Sequence, residues 1–261
     1  MTGKTVCSTG SIAAGLRELG LAPGDAVLVH SSLSGLGWVE GGAAAVIEPL
    51  VDVVSPGGTV LFPTLTGTED DGPAHPPVMD ARTSSCWTGR IPRTALGWPG
   101  AVRSLHPTHS VTAIGAEAGS LVEGHERVST PCGPGSPYVR LMERGGKILL
   151  LGGVTQASNT SLHALEELAG VPYHLQPEMT TGIVIDAEGR RHEVVNQLHL
   201  WGWARDFPRA QPVLERHGAA VTRPVGVSMA TLIDAGAMRR ILLPLLRDDP
   251  LFLLGNARTS A

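Results

Sequence analysis

Asp25-Ala26-Val27-Leu28-Val29-His30-Ser31-Ser32-Leu33-Ser34-Gly35-Leu36-Gly37 is the stretch that decides the fold. Its apolar run, bounded by Asp25 and a loop of serine and glycine, reads as a buried strand. Residues 42–54 then read as a helix, stopped by Ser55-Pro56-Gly57-Gly58, and Thr59-Val60-Leu61-Phe62-Pro63 reads as a second buried strand. Strand, loop, helix, turn and strand in this order make a parallel crossover, so the expected class is α/β. Working outward, helices are expected at 11–20, 89–98, 117–124, 136–144 and 161–170, with strands at 110–115 and 147–152. Farther on, 181–186 and 191–196 read as a hairpin, followed by a helix at 208–217, a strand at 221–227 and a longer helix at 229–247. The late strands are an antiparallel portion added to the sheet. Between residue 64 and about residue 100 no period persists beyond that short helix, and Pro73, Pro76 and Pro77 interrupt the chain, so an irregular loop on the substrate side is expected. Residues 1–261 are read as one domain.

The 261 residues carry 42% hydrophobic and 17% charged side chains and a formal charge of −4, the balance of a globular enzyme. With no run of Lys or Arg, a nucleic-acid partner is not expected. No apolar stretch reaches membrane-spanning length and the first ten residues lack a signal-peptide core, so the expected compartment is the cytoplasm, with no membrane partner. Cys7, Cys86 and Cys132 are too scattered for a disulfide framework.

Three segments carry candidate chemistry. The loop His30-Ser31-Ser32-Leu33-Ser34-Gly35-Leu36-Gly37 lies between a strand end and a helix, where backbone N–H groups can hold a pyrophosphate, although an ordinary βα turn has the same look. The second segment is Arg103-Ser104-Leu105-His106-Pro107-Thr108-His109-Ser110-Val111. Pro107 keeps its two histidines off a shared helical face, and no third ligand stands at a familiar spacing, so no metal is expected. Arg103 among hydroxyls suits a phosphate through paired hydrogen bonds, or a solvated surface. In the third, Thr160-Ser161-Leu162-His163-Ala164-Leu165-Glu166-Glu167, a helix beginning near Ser161 puts His163 on one face with Glu166 and Glu167. A carboxylate on one ring nitrogen fixes the tautomer and raises the basicity of the other, as a general base requires. The same spacing also suits a helix whose acidic first turns favour the macrodipole. Cys132, in a Pro/Gly turn, is a fourth candidate as nucleophile or as packing.

Taken in order, Val29-His30-Ser31-Ser32-Leu33-Ser34, Pro56-Gly57-Gly58-Thr59, His75-Pro76-Pro77-Val78 and Pro99-Gly100-Ala101-Val102-Arg103-Ser104 resemble the aminoglycoside 3-N-acetyltransferases. The resemblance continues through His106-Pro107-Thr108-His109-Ser110, Cys132-Gly133-Pro134-Gly135-Ser136-Pro137-Tyr138, and Leu149-Leu150-Leu151-Gly152 followed by Asn159-Thr160-Ser161-Leu162-His163. It implies a three-layer α/β/α sandwich with a largely parallel central sheet, distinct from the commoner acetyltransferase superfamily. Acetyl-CoA is the implied co-substrate and a cationic aminoglycoside the implied acceptor. His163 is then the base, Glu166 its orienting carboxylate, and Thr64 a hydroxyl near the thioester. The Ser31 to Gly37 loop, with His30, and the Arg103 to Val111 segment would line the coenzyme site. Carboxylates are expected around the acceptor, with Glu69, Asp70, Asp71, Asp80, Glu123, Glu166 and Glu167 available; Asp80, Glu166 and Glu167 are the expected contacts. Two departures fall on the acceptor side. Met79-Asp80-Ala81-Arg82-Thr83 replaces a Trp-rich acidic stretch of many relatives, and Arg93-Thr94-Ala95-Leu96 lacks an acidic residue, which leaves room for a different amine. The alternative reading is a Cys132-dependent acyltransferase or amidohydrolase.

Overall fold

The apolar runs become strands because both faces of the sheet they form are covered by helices. In the computed structural model, which describes residues 6–255, the elements in order are β1 (Val6–Cys7), α1 (Thr9–Leu19), β2 (Ala26–Ser31), β3 (Trp38–Val39), α2 (Ala44–Val54) and β4 (Thr59–Pro63). Next come β5 (Val78–Asp80), α3 (Arg90–Ala95), β6 (Val102–Arg103), β7 (Val111–Gly115), α4 (Ala118–Val122), α5 (Pro137–Glu143), β8 (Lys147–Leu151) and α6 (Ser161–Ala169). The chain continues with β9 (Thr180–Ile185), β10 (Arg191–Asn196), α7 (Ala210–Arg216), β11 (Ala220–Val225), β12 (Ser228–Asp234) and α8 (Ala235–Asp248).

Among the described residues the main sheet has seven strands in the order β11-β12-β8-β2-β4-β7-β6. Its centre, β8-β2-β4, is parallel. The outer pairings are antiparallel, which leaves β11, β8, β2, β4 and β6 pointing one way and β12 and β7 the other. Alternation along each central strand feeds two cores. Leu28, Leu61, Ile148 and Leu150 pack under α4 to α8, while Val27, Val29, Val60, Phe62, Leu149 and Leu151 pack under α1, α2 and α3. The result is the expected α/β/α sandwich. None of the described helices is long and apolar enough to cross a membrane.

Two expectations are corrected. The helix expected over 229–247 divides at Asp234. Ala230 and Leu232 face one core and Ile233 the other, a strand alternation that lets β12 pair with β8. Asp234 then accepts a hydrogen bond from Ala237 N at 2.7 Å and caps α8. The irregular stretch after residue 64 also contributes β5, which pairs parallel with β9 in a three-stranded sheet, β10-β9-β5, over Met79, Val184 and Val194.

Candidate active site

Parallel strands that end together gather loops and backbone N–H groups at their carboxyl ends, where α/β folds bind ligands. Here β2, β4 and β8 end beside one another. The pairing of β2 with β8 runs on into the loop, where Ser32 N donates to Leu151 O at 3.0 Å. Gly35 rests so closely on the turn after β8 that a Cβ there would collide with the Gly152 carbonyl, while Gly152 adopts φ 79°. A cavity of about 470 Å³ opens over these ends. Its wall includes His30, Ser31, Pro63, Thr108, His109, Thr160 and His163, together with the segment from His199 to Arg205, Trp87 and Phe207.

The first turn of α6 carries His163 to this wall. His163 Nδ1 lies 2.8 Å from Glu166 Oε2, the i, i+3 contact the helix spacing dictates. Glu166 is fully buried, whereas His163 is partly exposed to the cavity. His163 Nε2 makes no hydrogen bond among the described residues, so the imidazole is anchored at one nitrogen and free at the other.

Behind this pair lies a second one. His199 Nε2 lies 2.6 Å from Glu167 Oε1, which also accepts from Cys132 N at 2.8 Å. Burial raises the Glu167 carboxyl to about 8 and lowers His199, so both uncharged forms are favoured. Between the pairs sits His174, buried and held neutral first by desolvation and then by repulsion from His163. Its Nδ1 lies 3.2 Å from Glu166 Oε2 and accepts from Arg205 Nη2 at 2.9 Å, while Arg205 Nε stands 3.4 Å from both Glu166 oxygens. Since His174 is uncharged, its closeness to Glu166 is no ion pair. His30 is lowered to about 3 by burial and by His163 beside it; His109 is likewise lowered by burial.

Other expected residues go elsewhere. Arg103 is absent from the cavity wall: it donates to Ser110 Oγ at 3.0 Å, Ser84 O at 2.6 Å and Thr64 O at 3.2 Å. Thr64 is fully buried, its hydroxyl among Ser110 and Thr112 rather than in the cavity. Ser104 Oγ binds His125 Nδ1 and accepts from Val111 N, and His106 Nδ1 accepts from Thr108 N and His109 N, so both hold the turn into β7. At the end of β2, His30 and Ser31 line the cavity; Ser32, Leu33, Ser34, Gly35, Leu36 and Gly37 follow outside its wall. Asp80 is bound to Arg82 at 2.7 Å and Glu167 faces inward, so neither stands at an acceptor rim. Cys132 is fully buried and desolvation pushes its thiol well up, which removes the thiolate a nucleophile needs. Sequence reasoning missed His174, His199 and Arg205. The one signal for His199 and Arg205 is the dense run His199-Leu200-Trp201-Gly202-Trp203-Ala204-Arg205, too rich in large and ionisable side chains for a plain connection; His174 has none.

Comparison with known proteins identifies the family. The family model described as aminoglycoside 3-N-acetyltransferase matches residues 28–247. Aminoglycoside N(3)-acetyltransferase VII of Streptomyces paromomycinus is 37% identical over 244 residues, covering 86% of this chain and 83% of its own. Among solved structures, AAC-IIIb in a binary complex with CoASH superposes with a TM-score of 0.82 at 28% identity, over 96% of this chain and 98% of that one. A mutant of aminoglycoside acetyltransferase AAC(3)-IVa in complex with a gentamicin gives 0.82 at 28% identity, over 98% and 94%. The chain belongs to the aminoglycoside 3-N-acetyltransferase family and is an acyltransferase of that kind.

Proposed function

We propose that this enzyme transfers the acetyl group of acetyl-CoA to an amine of an aminoglycoside, at the 3-amino position in keeping with its relatives, with His163 as general base. One observation carries the reading: His163 is fixed through Nδ1 on buried Glu166 while its Nε2 is unpartnered at a cavity wall over the ends of β2, β4 and β8. Acetyl-CoA supplies the thioester, whose carbonyl carbon is attacked and whose thiolate leaves. His163 Nε2 takes one proton from the amine nitrogen as the carbon–nitrogen bond forms, and Glu166 supports the imidazolium. That proton is then available to the departing sulfur, which leaves as CoASH. Both substrates are bound at once, because buried Cys132 offers no thiolate for a covalent intermediate. His30, Ser31 and the loop beyond them are the nearest groups to hold the coenzyme. The cavity draws on β2, β4, α6 and the 199–207 segment, which supports reading the chain as one domain. A reaction fed by acetyl-CoA belongs in the cytoplasm.

One observation favours a second acceptor class. Among the described residues the cavity wall holds Arg205, Trp87, Trp201 and Trp203 but no Asp or Glu; the acidic Glu69-Asp70-Asp71 run lies just beyond Gly67 of the wall. That wall suits an amine with fewer charges than a polycation. Thiol release from acetyl-CoA, measured with gentamicin and with uncharged-bodied monoamines, tests both readings. Amine-dependent release with an acetylated product supports N-acetyl transfer. Release that is independent of every amine contradicts it.

A further inference from the structure

Arg205, also in the cavity wall, reaches the catalytic pair. A guanidinium has donors only, so the 2.9 Å contact with His174 makes Nδ1 of that ring the acceptor and leaves its proton on Nε2. His174 therefore cannot donate to Glu166, although its Nδ1 is 3.2 Å from Oε2. Two atoms bearing lone pairs face each other, and the same cation bridges them. Arg205 is steadied further by Nη1 donating to Trp203 O at 3.3 Å and by the Tyr173 ring, 5.7 Å from the guanidinium carbon.

Resting on His163 as the base, we propose that Arg205, aligned by His174, is a positioning residue that balances the buried charge of Glu166 and so sets the pH at which His163 becomes free to accept a proton.

The surroundings leave this task to Arg205. On α6 itself, His163 faces Glu166, with Glu167 beyond. From β2 comes His30, from the turn before β7 comes His109, and from the loop after β10 comes His199; burial favours the neutral form of each. His174 is neutral for the same reason, and the Tyr173 hydroxyl is held protonated by burial. Arg205 is thus the permanent cation of the group. Its charge favours ionised Glu166 and opposes an extra proton on the His163–Glu166 pair. Without it, the pair binds that proton more tightly, whichever partner holds it.

The test is the pH dependence of kcat/KM for Arg205→Ala, Arg205→Lys, His174→Ala and His174→Gln, with His163→Ala as reference. In Arg205→Ala the acidic limb is expected to move to higher pH by about one unit, with less movement in Arg205→Lys. His174→Ala moves it the same way, and His174→Gln, whose amide oxygen can still accept from Arg205, stays nearer the parent. The ring-proton NMR signal missing in His163→Ala identifies His163, and its titration midpoint in the free enzyme should follow the limb. A limb and midpoint unmoved in Arg205→Ala, with activity lowered equally at all pH, would overturn the proposal; so would movement to lower pH. Should Arg205→Ala fail to fold, Arg205→Lys and the His174 pair carry the same comparison. Near-parental turnover in His163→Ala would instead overturn the assignment of the base.

Discussion

Arg103 ties three pieces of backbone together, since its guanidinium reaches Ser110 Oγ, Ser84 O and Thr64 O. Burial lowers it only to about 10, so it stays charged at neutral pH. Replacing it with Met would leave Ser84 O without that donor, while Thr64 O keeps Ser110 Oγ at 2.7 Å. The expected cost is about 1–3 kcal/mol of stability, measured by denaturant unfolding, with a smaller effect on CoA affinity. Unchanged stability with a large loss of CoA affinity would return Arg103 to the phosphate role its sequence context suggests. His163 and Glu166 were legible because i, i+3 neighbours on a helix must meet. Glu167, one position on, turns to a different side and is buried against His199, a partner 32 residues away that no local pattern connects to it.

The loop after β2 works as an element because it lies against the turn after β8. Gly35→Ala is expected to displace one of the two, since the added Cβ meets backbone at Gly152 rather than a side chain that could swing away. Reduced CoA affinity together with a lowered melting temperature is the predicted outcome, read by calorimetry. An unchanged affinity would separate this loop from the coenzyme. Elements with a clean period and a boundary residue, such as β4, β8 and α6, were readable to within a residue or so. β12 is not, because a real helix follows it without a break and nothing in residues 229–234 marks the boundary. The segment 197–207, which supplies Arg205 and His199, has no period at all. Its contribution to the site depends on tertiary packing, and only its composition hinted at it.

At the scale of the whole molecule, burial keeps six histidines neutral: His30 at about 3, His125 at about 4, and His106, His109, His174 and His199 all lowered from 6.5. Each has a folded value below its unfolded one, so its contribution to stability is complete above 6.5 and is lost as pH falls below it. Glu167 acts in the opposite sense: raised from 4.5 to about 8, it loses its contribution as pH rises through that interval. Each histidine adds a slope of about 1.4 kcal/mol per pH unit, so six together can erode a typical folding stability of about 5–15 kcal/mol within roughly two units. The melting temperature should peak near neutrality, fall gently toward about pH 8 and fall steeply toward about pH 5. A flat profile from about pH 7 to pH 5 would mean that these rings are protonated in the folded protein.

That cluster of neutral imidazoles is the setting in which one ring, His163, is left open to the cavity with a carboxylate behind it. His163→Ala, measured for amine-dependent thiol release from acetyl-CoA and for CoA affinity in the same preparation, therefore tests the role of this ring most directly. The predicted result is a folded protein with near-parental CoA affinity and turnover lower by about 10²–10⁴-fold. Near-parental turnover would contradict the account. An inactive His109→Ala that still binds CoA would then transfer the role to His109, another imidazole on that wall.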